Sequence, residues 1–162
     1  PDPGRCIPKF QKRCGLLMMI LDDKQVFLGV TGGIAAYKSV ELLRLFKKAG
    51  ADVIVAMTRA ATQFVGPATF EVLSENPVLL DLWEGPGSGV SHIDVASKSD
   101  LAVIAPATGN CIGKLAHGIA DDAIETVAAQ VTVHRPVGVV VGAPVGALCA
   151  IREGICLGKR ST

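Results

Sequence analysis

Hydrophobic residues in this chain fall into short apolar runs separated by stretches of helical spacing. Val26 to Val30 is one such run and predicts a buried strand. It ends in Thr31-Gly32-Gly33, and a helical pattern follows over residues 34–48. There Val40, Leu43 and Phe46 share a face, widened by Leu42 and Leu45, and Gly50 is placed to end the helix at C′. Asp52 to Met57 predicts a second strand. Thr58 is suited to cap a short helix through Phe64, and Pro67 fits the first turn of another, to Leu73. Val78 to Trp83 reads as extended and Glu84 to Gly89 as a loop. A short helix follows from His92 to Lys98, then a strongly apolar strand from Leu101 to Ala105. The turn 106–110 opens a helix to His117. A helix from Asp122 to Ala129 and a strand from Val137 to Val141 complete the pattern.

Strands alternating with helices imply right-handed βαβ units and a parallel sheet. Ligands of such sheets sit beyond the carboxyl ends of the strands. Three polar or glycine turns are predicted at those ends, 31–33, 58–61 and 106–110. The first carries the most information. A strand, a glycine turn and a helix in direct succession put backbone N–H groups at a helix N-terminus, which attracts phosphate. Its glycines are Gly29, Gly32 and Gly33, a spacing different from G-x-G-x-x-G. Plain structural readings stand beside the functional ones. Gly32-Gly33 as a tight turn, Thr58 as a cap and Pro106 as a change of chain direction are each open on the residues alone.

Composition narrows the picture. The 162 residues suffice for one domain, and 49% hydrophobic with 4% aromatic suits strands buried on both faces. A net charge of +1 gives no electrostatic case for nucleic acid or an anionic membrane. The five cysteines form no CxxC pair and do not cluster with the three histidines, so neither a metal site nor a disulfide framework is expected. Reduced thiols fit a cytoplasmic setting. The longest apolar stretch, Val137 to Ile151, is broken by glycines and Pro144, and its 15 residues fall short of the roughly 20 that span a membrane. Cys111 is expected to be a buried inert thiol, His117 a partner for a helix C-terminus, and His134 solvated. Asp121-Asp122 favours the N-terminus of the helix that follows.

Five blocks together carry a resemblance: GVTGGIAAYK (29–38), MTRAATQFV (57–65), SHIDVA (91–96), APATGN (105–110) and GIADD (118–122). In this order they resemble the homo-oligomeric flavin-containing cysteine decarboxylases, in particular the bacterial phosphopantothenoylcysteine decarboxylase domain of coenzyme A biosynthesis. The resemblance covers residues 19–124. It implies a Rossmann-like three-layer α/β/α fold with a parallel sheet, FMN as cofactor, and a homo-trimer or homo-dodecamer. It implies that Gly32, Gly33, Ile34 and Ala35 line the flavin, with Thr58, Ala61 and Phe64 in a second segment. Pro106, Ala107, Thr108 and Asn110 form a third, His92 matches the active-site histidine, and Gly118 to Asp122 reach a neighbouring subunit's cofactor. The implied reaction is decarboxylation of 4'-phosphopantothenoylcysteine to 4'-phosphopantetheine.

The resemblance ends in the last third. Residues 139–150 read VVVGAPVGALCA, where the family carries P-x-M-N-x-x-M-W with its carboxylate-binding Asn. Pro144 is present, but Val145-Gly146 stand in place of Met-Asn, and neither Cys149 nor Cys156 matches the reactive cysteine of the family's flap. The expected organisation is an extension over 1–18, an FMN-binding domain over 19–145 and an aberrant, frameshifted tail over 146–162. The alternative to an enzyme is a non-catalytic FMN-binding or regulatory subunit.

Overall fold

The computed structural model describes residues 21–81, 92–133 and 135–139, with the backbone alone for His92. The extension over 1–18, the loop over 84–89, His134 and the tail over 146–162 lie outside the described residues.

The strand β1 (Gln25–Val30) is central because both of its edges are paired and both of its faces are buried. It pairs in parallel with β2 (Asp52–Met57) on one side and with β3 (Leu101–Ile104) on the other. A short fourth strand, β4 (Val137–Val139), adds to β3, giving the order β2-β1-β3-β4. Side chains alternate across the pleat. Val26, Leu28 and Val30 therefore join one core and Phe27 the other. On the first face lie α1 (Ala36–Lys48) and α2 (Pro67–Ser74), which bring Leu42, Leu43, Phe46 and Phe70. On the second lie α3 (His92–Lys98), α4 (Gly109–His117) and α5 (Ala123–Thr132), with Val95, Cys111, Ile124, Val127 and Val131. This is the expected three-layer α/β/α arrangement on a parallel sheet. A short 3-10 turn, Ala61–Gln63, follows β2.

Several expectations shift in detail. The helix read over 34–48 begins at Ala36, because residues 32–35 make the turn out of β1. Gly50 ends it with φ of 87°, a conformation L side chains rarely adopt. Leu45 is 43% exposed and does not widen the buried face. That face instead runs Ala36, Ser39, Leu42, Leu43 and Phe46. The last helix extends beyond Ala129 to Thr132, since Val131 continues its apolar stripe against the sheet. β4 is described as far as Val139, and Leu79 makes a single parallel bridge with Ala56 within the stretch read as extended.

The two ends of the sheet differ in chemistry. At the amino end of the strands, Asp100 accepts from the Gln25 N–H at 3.1 Å and pairs with Lys24 and Arg135. At the carboxyl end the turn leading into α5 carries a separate ion pair, Lys114 with Asp121 at 2.7 Å. The contrast between Leu43 and Leu45 is directly measurable. Leu43→Ala removes a fully buried side chain and is expected to cost about 2–5 kcal/mol in urea unfolding. Leu45→Ala, at an exposed position, is expected to cost less than about 1 kcal/mol.

Candidate functional site

The strand order creates a crevice. From β1 the chain crosses to β2 on one side, and from β3 it crosses to β4 on the other. The turns leaving the carboxyl ends of β1 and β3 therefore diverge, which is where doubly wound sheets hold ligands. The turn after β1 (residues 31–35) and the turn after β3 (105–108) lie side by side at this switch point.

They are tied by one hydroxyl. Thr31 Oγ1 donates to the Pro106 carbonyl at 2.6 Å and accepts from the Thr108 N–H at 3.0 Å, and the residue is buried. The Thr31 N–H also donates to the Pro106 carbonyl, at 3.3 Å. A second buried hydroxyl, Ser39 Oγ on α1, donates to the Ala105 carbonyl at 2.6 Å. Apolar periodicity does not reveal either bond. Ser39 could have been suspected, because it is a polar residue on the apolar face of its helix.

The third turn closes against the first. The Thr58 N–H donates to the Val30 carbonyl at 3.1 Å, which locks the end of β2 beside the end of β1. Thr58 Oγ1 accepts from the Ala61 N–H at 3.2 Å and so caps the 3-10 turn. A Cβ on Gly32 would stand 2.5 Å from the Ala60 Cβ, so only glycine lets the two turns meet this closely. Gly32, Gly33, Ala35, Ala61, Ala107 and Thr108 thus gather at one end of the sheet, with Ile34 (81% exposed), Phe64 (50% exposed) and Asn110 on its outer surface. Pro106 lies buried beneath them, after a cis peptide bond from Ala105.

The helix ends facing this region are unequal. Thr108 caps α4 by accepting from the Cys111 N–H at 3.4 Å, and Asp122 caps α5 by accepting from the Ile124 N–H at 2.8 Å. The cap of α1 is Ala35, which has no acceptor, and no acid lies in its first turn. The N–H groups of Gly32, Gly33, Ile34 and Ala35 have no hydrogen-bond partner among the described residues. Open donors at the positive end of a helix dipole form a ready cradle for an anion.

His92 opens α3, and its side chain lies outside the described residues. Because α3 runs back into β3, its first residue sits at the carboxyl end of the sheet, the same end as the turns. His117 bonds the Gly113 carbonyl through Nδ1 at 2.8 Å, as expected of a residue at a helix C-terminus. Asp122 serves the helix N-terminus as expected, while Asp121 pairs with Lys114 at 2.7 Å. Among the described residues, no three His, Cys, Asp or Glu side chains are placed to hold a metal ion, and no helix is long and apolar enough to cross a membrane.

Beside Cys111, at the start of α4, lies an acid that apolar periodicity does not single out. Glu125 on α5 is 1% exposed, and its Oε2 has no hydrogen-bond partner among the described residues. Burial, then the neighbouring Asp122, raises its pKa. Burial and the same Glu125 push the Cys111 thiol up to about 12, so the thiol is neutral and inert at physiological pH. A raised carboxyl pKa means that the folded state holds its proton more tightly than the unfolded chain. Stability is therefore full below the unfolded value near 4.5 and falls as pH rises through the window above it. Glu125→Gln is expected to unfold at a higher temperature than the parent at pH 7, with the difference closing toward pH 4. Equal pH profiles for the two proteins contradict this.

Comparison with known proteins adds to the geometry. The Flavoprotein family model matches residues 19–156. A coenzyme A biosynthesis bifunctional protein CoaBC of Bacillus subtilis (strain 168) is 49% identical over 108 residues, covering 66% of this chain and 27% of that protein. A probable phosphopantothenoylcysteine decarboxylase of Streptococcus mutans is 41% identical over 114 residues, covering 70% of this chain and 64% of that protein. The chain thus spans about a quarter of the length of the bifunctional relatives it matches. Among solved structures, the FMN-dependent cysteine decarboxylase SpaF superposes with a TM-score of 0.64 at 25% identity, covering 84% of this chain and 77% of its own. TvaF, a second FMN-dependent cysteine decarboxylase, from thioviridamide biosynthesis, gives 0.63 at 26% identity, covering 80% of this chain and 81% of its own.

Proposed function

Because this chain belongs to the Flavoprotein family, we propose that it binds FMN across the three turns and decarboxylates 4'-phosphopantothenoylcysteine to 4'-phosphopantetheine. The observation that carries the reading is the open N-terminus of α1, whose N–H groups at residues 32–35 have no partner among the described residues, beside the switch point. A flavin mononucleotide has one phosphate to place there and one planar ring to lay against the turns. The relatives named for phosphopantothenoylcysteine decarboxylation and coenzyme A biosynthesis support the substrate.

In this reading the N–H groups of 32–35 hold the phosphate. The Gly32–Ala60 contact keeps side chains out of its way. Thr58, Ala61 and Phe64 form one wall and Pro106, Ala107, Thr108 and Asn110 the other. FMN, when bound, supplies the oxidation of the substrate's thiol-bearing carbon that makes carboxylate loss feasible, and then returns the electrons, so the overall change is loss of CO₂ alone. His92 holds or moves the proton at the reacting centre, a task for which imidazole is the suited side chain near neutral pH. The exposed Ile34 and Phe64 on the rim favour a second subunit closing the site, in a homo-trimer or homo-dodecamer. A cytoplasmic setting accords with the biosynthetic relatives.

The test is product formation. Protein loaded with FMN is incubated with 4'-phosphopantothenoylcysteine, and CO₂ and 4'-phosphopantetheine are followed by mass spectrometry. We expect stoichiometric release of both, and a rate lowered about 100-fold or more in His92→Asn with flavin retained. A flavin-loaded protein that releases no CO₂ contradicts the decarboxylase reading and leaves the flavin reading standing.

A further inference from the structure

Residues 31–38, 58–64 and 105–112, which build the three turns and the helix starts beside them, contain two cations, Lys38 and Arg59, and no acid. Among the described residues, Lys24 and Arg135 pair with Asp100, Lys47 with Glu75, and Lys114 with Asp121, while Arg44, Lys48 and Lys98 lie outside the three turns and form no ion pair. Lys38 stands 5.7 Å from the Tyr37 ring centroid. Arg59 is exposed, and its side chain has no hydrogen bond or ion pair among the described residues.

Its backbone, by contrast, is anchored on both sides. Thr58 before it is bonded to Val30, and Ala60 after it packs on Gly32. The Arg59 carbonyl accepts from the Thr62 hydroxyl at 2.8 Å. These bonds hold Arg59 at the lip of the glycine turn. The turn itself offers an anion only neutral N–H groups, because the Thr31 hydroxyl proton is already given to Pro106. A phosphate monoester carries close to two negative charges at neutral pH. A partial helix dipole leaves most of that charge unmatched. A guanidinium answers it, with a planar fork that meets two phosphate oxygens at once. Nucleotide folds that grip a ribose hydroxyl place an acid at the end of the second strand, the position where this chain places Arg59.

We propose that Arg59 is a specificity-determining residue of this site, selecting a phosphate monoester by pairing its guanidinium with the phosphate at the glycine turn. The inference rests on the flavin reading above and assigns the turn's charge balance to one side chain. The same phosphate chemistry occurs in FMN and in the phosphorylated substrate.

The experiment measures flavin fluorescence quenching for the full chain, Arg59→Ala and Arg59→Lys, each with FMN and with riboflavin. KM is then compared for 4'-phosphopantothenoylcysteine and its dephosphorylated form. We expect Arg59→Ala to weaken FMN about tenfold or more while riboflavin binding is unchanged, with Arg59→Lys between the two. Unchanged riboflavin binding also shows that the variant is folded. Equal FMN binding, with a KM raised only for the phosphorylated substrate, supports the proposal with the substrate as the phosphate source. Wild-type discrimination between phosphorylated and unphosphorylated ligands that survives intact in Arg59→Ala overturns it. A parent protein that binds neither FMN nor riboflavin overturns the flavin reading itself, and the proposal falls with it.

Discussion

The Thr31 hydroxyl holds together two turns that the chain path drives apart. At the switch point the chain leaves β1 in one direction and β3 in the other, and beyond the paired strand residues the backbone adds the Ala105 N–H bond to Gly29 and the Thr31 N–H bond to Pro106. The buried Thr31 hydroxyl extends this link by donating to the Pro106 carbonyl and accepting from the Thr108 N–H. Ser39 adds a bond from the helix side to the Ala105 carbonyl. Buried hydroxyls left unmatched would cost about 1–3 kcal/mol each, so these contacts specify one loop arrangement as well as stabilising it. The glycine turn, the cap of the 3-10 turn and the start of α4 all take their positions from that arrangement.

The rest of the site follows from where charge is placed. Asp100 draws Lys24 and Arg135 to the amino end of the strands, while the turns after β1 and β3 are joined by backbone groups and a hydroxyl. α4 and α5 satisfy their own N-termini with Thr108 and Asp122, while α1 does not. Beside the start of α4, burial pushes the Cys111 thiol up to about 12 and raises the pKa of the Glu125 carboxyl as well. An apolar interior beneath a rim of open backbone donors suits a planar ligand with an anionic tail.

Much of this was legible in the chain. The apolar runs at 26–30, 52–57 and 101–105 are strands because residues buried on both faces need no alternation, and Val, Ile and Leu crowd them. The three turns were visible as breaks at the strand ends, and their convergence followed from parallel order. What stayed hidden depends on tertiary contact. Leu45 matched the helical period but points away from the sheet, because the buried stripe is centred on Leu42, Leu43 and Phe46. Glu125 carries no mark in the helical period, and its burial on α5 beside Cys111 is set by tertiary packing. Thr31 read as a turn residue, since its two partners lie more than seventy residues away.

The account stands on the link between that hydroxyl and ligand binding. FMN affinity, read by fluorescence quenching, should be compared for the parent, Thr31→Ser and Thr31→Val, with circular dichroism confirming that each is folded. Serine keeps the donor and acceptor, so its affinity should stay within about threefold of the parent. Valine keeps the shape and removes both bonds, and its affinity should fall about tenfold or more. A folded Thr31→Val protein that binds FMN as tightly as the parent would show that the turns are held by other means, and would contradict the central claim.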